Sequence, residues 1–365
     1  MEEILKLKKW LIAVPLTLAL ALGVAACGDS ESSGGDSGSA VSGEIAGAGA
    51  SSQEAAMNGW IAAFQDDNPD ATISYDPVGS GGGREQFIAG GTSFGGTDST
   101  MDEDELADVA KRCAPGDYIE IPVYISPIAV AYNVDGVEEL NLSPSTLAKV
   151  MSGKIENWND QAIAAENPDA ELPDTRITVV HRSDESGTTE NFVDYLSQVA
   201  PKDWPFEVDG YWPVKGGEAA NGTSGVISAI NAGSGTIGYA DLSQVGDLGT
   251  VNVGVGDEFV APSSEAAAQI VDVSQRVEGQ GEYVFAYELA RDTTADGIYP
   301  ISLVSYEMAC TSYDNADEAA LVKAFYSFII SEEGQEAAAS AAGSAPISDK
   351  LRDLITPAVE AIQAN

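Results

Sequence analysis

From residue 44 onward, apolar positions follow two alternating patterns. Short continuous or period-two runs mark strands, and repeats every three to four positions mark helices. Ile45–Ala48 reads as a short strand. Ser51-Ser52-Gln53-Glu54 has capping-box spacing, and Ala56, Trp60, Ile61 and Phe64 follow at helical intervals. A strand is predicted over Thr72–Val78, a glycine-rich turn over 79–83, a helix from Arg84 to Ala89, and a strand ending near Thr97-Asp98. The acidic stretch 102–112 predicts an exposed helix. Two long apolar runs, Ile121–Tyr132 and Ile301–Met308, predict extended strands. Between them lie βα-like units at Leu147–Met151, Ile177–Val180 with Glu190–Leu196, and Val226–Ala232 with Thr236–Tyr239. The alternation predicts an α/β fold, and there is no internal repeat.

The N-terminus has a different pattern. Lys6, Lys8 and Lys9 precede an apolar run from Trp10 to Ala26, the layout of an export signal. The run ends in Val24-Ala25-Ala26-Cys27 followed by Gly28, which resembles a bacterial lipobox. That resemblance implies acylation of Cys27, which becomes the new N-terminus. Residues 28–43 are rich in Gly, Ser and Asp and read as a flexible tether with a reach of about 20–25 Å. With Cys27 lipidated, Cys113 and Cys310 remain as an even pair in an oxidising compartment, either as a disulfide or as two buried thiols.

Charge narrows the functional classes. The 365 residues carry 17 Lys and Arg against 58 Asp and Glu, a net charge of −41. No basic stripe exists for nucleic acid, and such acidity fits a solvated surface. One histidine and three cysteines exclude a His-rich zinc site, and no EF-hand loop is present. The sequons Asn141-Leu142-Ser143 and Asn221-Gly222-Thr223 carry no weight in a bacterial-type lipoprotein.

Three segments share one design, in which a strand ends, a small-residue turn follows and a helix opens. They are Gly47-Ala48-Gly49-Ala50-Ser51-Ser52, Gly79-Ser80-Gly81-Gly82-Gly83, and Arg182-Ser183-Asp184-Glu185-Ser186-Gly187-Thr188-Thr189. Glycines admit a ligand close to backbone N–H groups, and a helix N-terminus presents unpaired donors with partial positive charge. Hydroxyl side chains add donors. Together these are the parts of an oxyanion site.

In order and spacing, these segments resemble the periplasmic phosphate-binding proteins of ABC-type phosphate importers (PstS-type). The resemblance runs from about residue 44 to the C-terminus. It includes Phe94-Gly95-Gly96-Thr97-Asp98, the stretch from Leu147 to Asp160 with its Gly153-Lys154-Ile155 and Trp158, and above all His181 to Thr188. It implies a two-lobe α/β fold of the periplasmic-binding-protein type, with a ligand cleft and two hinge crossings. Lobe one would comprise 44–127 and 300–365, and lobe two 128–299. By matching position it implies a phosphate site of Ser51, Ser52, Ser80, Asp98, Arg182, Ser186, Gly187 and Thr188. Arg182 would be the lone cation and could pair with Asp98. Glu185 departs from the glycine common in some members. The implied protein is a receptor rather than an enzyme. It would be a monomer held by its lipid on the outer face of the cytoplasmic membrane, without cofactor, handing inorganic phosphate to the importer's transmembrane subunits.

Physical chemistry supports this reading. Hydrogen bonds to a charged partner contribute about 1.5–3 kcal/mol each, and micromolar affinity needs only about −8 kcal/mol. Asp98 beside an anion costs about 4 kcal/mol at 4 Å and an effective dielectric near 20. That objection disappears when the ligand carries a proton to donate, which phosphate does and sulfate does not. Two other readings remain. A receptor for another tetrahedral oxyanion such as sulfate would use the same turns. A serine hydrolase would use Ser93 of Gly91-Thr92-Ser93-Phe94-Gly95 with His181.

Overall fold

The protein is described by a computed structural model covering residues 41–365. The export signal, Cys27 and nearly all of the tether lie outside the described residues. Among the described residues no helix is long and apolar enough to cross a membrane.

The first half of the chain runs β1 (Gly43–Gly49), α1 (Glu54–Asp67), β2 (Ala71–Asp76), α2 (Ser80–Ile88), β3 (Phe94–Thr97), α3 (Glu103–Cys113), β4 (Tyr118–Asn133), β5 (Leu140–Leu142), α4 (Pro144–Met151), α5 (Gln161–Glu166), β6 (Thr178–Arg182) and α6 (Gly187–Val199). It continues through β7 (Glu218–Ala220), α7 (Gly222–Ala232), β8 (Thr236–Asp241), a 3-10 turn at Leu242–Gln244, β9 (Gly249–Val255), β10 (Glu258–Val260), α8 (Ser264–Val273), β11 (Gln275–Arg276), β12 (Tyr283–Val284) and β13 (Tyr287–Glu288). It closes with β14 (Ser302–Cys310), β15 (Ser312–Tyr313), α9 (Ala316–Ile330), α10 (Glu332–Ala342), α11 (Asp349–Glu360) and β16 (Gln363–Ala364).

Two strands carry the architecture. β4 is buried along its length except at Asn133, as its continuous apolar run requires, and β14 is buried throughout. The main sheet is mixed, with the path β2-β1-β3-β14-β4-β8-β6-β7. β4 changes partner between Pro127 and Ile128. Up to Pro127 it runs antiparallel to β14, and from Ile128 it runs antiparallel to β8. The two-lobe α/β architecture follows from this exchange, since one strand serves both halves of the sheet.

Several expectations need correction. The tether does not extend to residue 43: β1 begins at Gly43, in register with Ala71, and the Val41 N–H donates to Asn68 Oδ1. Helix α2 begins at Ser80 rather than Arg84, so the glycine run forms its first turn. Glycine is needed there for close approach. A Cβ on Gly83 would stand 2.3 Å from the Gly49 Cα, and one on Gly81 would stand 2.3 Å from the Glu185 Cδ. The segment 128–299 does not stay on one half of the sheet. β12 pairs in parallel with Ile119–Glu120 of β4, and Ile270 and Leu289 pack with Ile125 and Val304.

The core is continuous around the sheet. α1 buries Ala56, Met57, Trp60 and Phe64, a helical stripe, and the Trp60 indole donates to the Gly334 carbonyl at 2.8 Å. α3 is an exposed helix with a complete capping box between Asp102 and Glu105. Cys113 at its end is joined to Cys310 of β14 by a disulfide, Cα to Cα 5.2 Å. An aromatic stack lies beside β8: Trp212 contacts His181, Phe192 and Tyr239, with centroids 5.6, 6.4 and 5.4 Å away.

Candidate anion-binding site

Five chain segments converge where β1, β3 and β6 end. β1 and β3 are parallel neighbours, so their C-terminal ends open on one edge. The turn after β1 delivers Ser51 and Ser52, and the end of β3 delivers Asp98. Ser80 opens α2, and Ser186-Gly187-Thr188 opens α6. The fifth segment, the start of α7, has no counterpart in the sequence-based set. Every residue expected at the site is buried, and the structure brings all of them together.

The contacts define the convergence. Ser52 Oγ lies 2.7 and 2.6 Å from the two carboxylate oxygens of Asp98. Thr188 Oγ1 donates to the same carboxylate at 3.0 Å. The Asp98 N–H donates to Ser80 Oγ at 3.1 Å. A Cβ on Gly187 would stand 2.6 Å from Ser80 Oγ and 2.7 Å from the Asp98 Cβ, so only glycine lets the α6 N-terminus press this close. Ser186 caps its own helix, accepting from the Thr189 N–H at 3.1 Å. Gly79 takes φ +97°, and a Cβ there would meet Asp184 Oδ2 at 2.7 Å.

Arg182, the last residue of β6, is nearly sealed from solvent. It does not pair with Asp98 as expected. Its guanidinium instead forms a two-pronged pair with Asp184, with Nε donating to Oδ1 at 2.8 Å and Nη2 to Oδ2. Asp184 also accepts from the Gly222 N–H at 3.1 Å, which ties Arg182 to the start of α7. Burial opposes ionisation of Asp184, but the hydrogen bonds and charge of Arg182 prevail and hold it below the usual carboxylate range. Asp98 moves the other way. Burial raises it above the ordinary value, against the hydroxyls of Ser52, Ser305 and Thr188 and the charge of Arg182.

Sequence reasoning missed four contributors. Ser51 does not complete a capping box with Glu54; α1 starts one residue after Gln53, without a side-chain cap. Its hydroxyl instead accepts from the Thr223 N–H at 3.1 Å and meets Thr223 Oγ1 at 3.1 Å, joining the β1 turn to α7. The sequon Asn221-Gly222-Thr223, dismissed from sequence, is thus a helix start facing the site. Asp184 stood inside the Arg182 motif without an assigned role. Ser305 of β14 donates to Asp98 Oδ1 at 2.8 Å. Arg84 is a second buried cation beside the site, so Arg182 is not alone. Arg84 pairs with Glu105 and with Glu185, both at 2.8 Å, and donates to Ser99 Oγ at 2.8 Å.

A cavity of about 290 Å³ opens beside Asp98, lined among others by Ser99, Glu190, Asn191, Arg291 and Tyr306. Ser51, Ser52, Ser80 and Arg182 do not line it. The hydrolase pairing is absent. Both His181 ring nitrogens lie against backbone carbonyls, Nδ1 at Arg182 and Nε2 at Gly216, and its ring stacks on Trp212. Ser93 precedes β3, with its carbonyl accepting from Tyr313.

Comparison with known proteins places the chain in a family. Residues 34–333 match the family model described as a PBP superfamily domain. The chain is 34% identical to the phosphate-binding protein PstS 3 of Mycobacterium tuberculosis (strain H37Rv), over 98% of this chain and all of that one. It is 33% identical to PstS 2 of the same organism, over 96% and 98% of the two chains. The fold matches that of a high affinity periplasmic phosphate-binding protein (PfluDING) bound with phosphate, with a TM-score of 0.70 at 22% identity, covering 86% of this chain and 93% of the other. By these matches the chain belongs to the PstS-type phosphate-binding proteins of the PBP superfamily.

Proposed function

We propose that this protein captures inorganic phosphate between its lobes and delivers it to the transmembrane subunits of an ABC-type importer. One observation carries the reading. The starts of α2 and α6 meet at a carboxylate, Asp98, that accepts hydrogen bonds, and the start of α7 joins the same cluster through Ser51 and through Asp184, the partner of Arg182. Oriented N–H and hydroxyl donors hold the anion, and Arg182, braced by Asp184, supplies positive charge without neutralising it fully. Asp98 receives the ligand's own proton, so the ligand must bring one. The ligand-holding groups are Ser51, Ser52, Ser80, Asp98, Arg182, Ser186, Gly187 and Thr188, with the start of α7 at Gly222 and Thr223 added.

The division into lobes follows the partner exchange of β4 at residues 127 and 128. Closure moves the α6 and α7 starts against the β1 and β3 ends. The receptor works as a monomer, held outside the cytoplasmic membrane by acylated Cys27. Calorimetry of the tether-free protein with phosphate, sulfate and arsenate tests the reading. Micromolar or tighter phosphate binding with sulfate excluded is expected; equal affinity for sulfate overturns the role of Asp98, and no binding of either overturns the site.

A further inference from the structure

Ser305 lies on β14, the strand between β3 and β4 in the main sheet, and not on any of the turns that face the anion. Its neighbours in the apolar run point into the core, and it is itself fully buried. The β14–β4 ladder pairs Ser305 with Tyr124 and Tyr306 with Pro122, so the register shifts between them. Pro122 has no N–H to give to a ladder, and an irregularity of this kind re-aims the side chains beside it. Here the hydroxyl of Ser305 lies 2.8 Å from Asp98 Oδ1 and 3.4 Å from the Thr97 carbonyl. A hydroxyl has one proton, and the shorter contact to the charged oxygen takes it.

Asp98 therefore receives donors from three directions: Ser52 after β1, Thr188 on α6 and Ser305 on β14. Ser52 and Thr188 sit on the turns that would serve an arriving anion. Ser305 reaches none of those turns, so its bond to Asp98 persists when the other two are drawn to ligand.

We propose that Ser305 is a specificity-determining positioning residue, whose hydroxyl keeps Asp98 an acceptor and so restricts the site to oxyanions that carry a proton. The inference rests on the phosphate-binding reading above. A donor to the ionised form favours that form, and burial of Asp98 pulls toward the neutral acid. A neutral Asp98 presents an O–H of its own and welcomes an anion with no proton, such as sulfate. The charged and titratable groups around Asp98 are Arg182 on β6, Tyr75 on β2 and Asp241 at the end of β8, with Glu190 and Asp194 of α6, Tyr287 and Glu288 of β13, Arg291 and Tyr306 of β14 lining the adjoining cavity. Arg84 of α2 holds the Thr97 and Ser99 hydroxyls on either side. None of these changes when Ser305 does.

The test is calorimetric titration with phosphate and with sulfate at a series of pH values from about 4 to 8, on wild type, Ser305→Ala and Ser305→Cys. Sulfate keeps no proton across this range and phosphate keeps at least one. In wild type, sulfate affinity rises only as the pH falls through the titration of Asp98. Loss of one hydroxyl donor should move that midpoint up by about one pH unit, so that sulfate binds about tenfold more tightly between the two midpoints. Phosphate affinity should change less than about threefold. Cysteine preserves shape with a weak donor and gives the same direction if the alanine variant fails to fold. Wild type that binds no phosphate overturns both readings. Wild type that binds phosphate, with the sulfate midpoint unmoved in the folded variants, overturns this inference alone.

Discussion

Arg84 and Glu185 form an ion pair across the two halves of the site, and removing its charge gives the sharpest kinetic prediction. Arg84 belongs to α2 and Glu185 to the loop before α6, and they meet at 2.8 Å. The Arg84 side chain is 6% exposed and that of Glu185 37% exposed. Unscreened at an effective dielectric near 20 and a charge separation of about 4 Å, such a pair is worth about 4 kcal/mol. Solvent at Glu185 and the cost of ordering it reduce this to about 1 kcal/mol. Glu185→Gln keeps the shape and leaves Arg84 paired with Glu105, so no buried charge is orphaned. The pair joins α2 to the loop before α6, which the proposed closure brings together, so its loss should fall on the closed state. One kcal/mol is about a fivefold change in an equilibrium constant. Stopped-flow measurement should therefore find phosphate release about fivefold faster with capture nearly unchanged. The difference should shrink in high salt. Unaltered release, or an effect indifferent to salt, would refute the latch.

Arg182→Ala should weaken phosphate binding at least tenfold by calorimetry, because it removes the buried cation and leaves Asp184 unpaired; an unchanged dissociation constant counts against the site. Asp98→Asn should narrow the preference for phosphate over sulfate in competition binding. The net charge of −41 should repel the ligand at long range, so capture should slow as ionic strength falls; salt-independent rates contradict this. Glu120 of β4 is fully buried, and burial raises its carboxyl to about 7. A folded-state value above the unfolded one means the folded state holds the proton more tightly. Stability from this group is therefore full below about pH 4.5 and is lost as the pH rises to about 7, by about 3 kcal/mol. Denaturant titration should show Glu120→Gln losing that slope; a slope equal to wild type refutes it.

Legibility in the sequence varied with how local the cause was. The Arg182 segment was readable because strand end, helix cap and small residues are adjacent in the chain. The same reading failed at Gly81 and Gly83. Glycine is a poor helix former, so the run looked like a turn, whereas contact with Gly49 and Glu185 forces glycine into the first turn of α2. Ser51 had a local partner by spacing, Glu54, but its actual partner is 172 positions away at Thr223. β12 could not be placed, since its pairing with Ile119–Glu120 depends on a crossover with no local signal. Ser305 was hidden in an apolar run, and its role appears only once the irregular pairing opposite Pro122 is known.

The aromatic stack beside β8 has a practical consequence. The Tyr239 hydroxyl touches Thr189 Oγ1 at 2.7 Å and accepts from the Arg182 N–H at 3.4 Å, while its ring stacks on Trp212. An indole thus sits one ring away from the backbone of Arg182, the residue proposed to hold the ligand. Intrinsic tryptophan emission should report occupancy directly, making the protein a reagentless optical sensor that needs no attached dye.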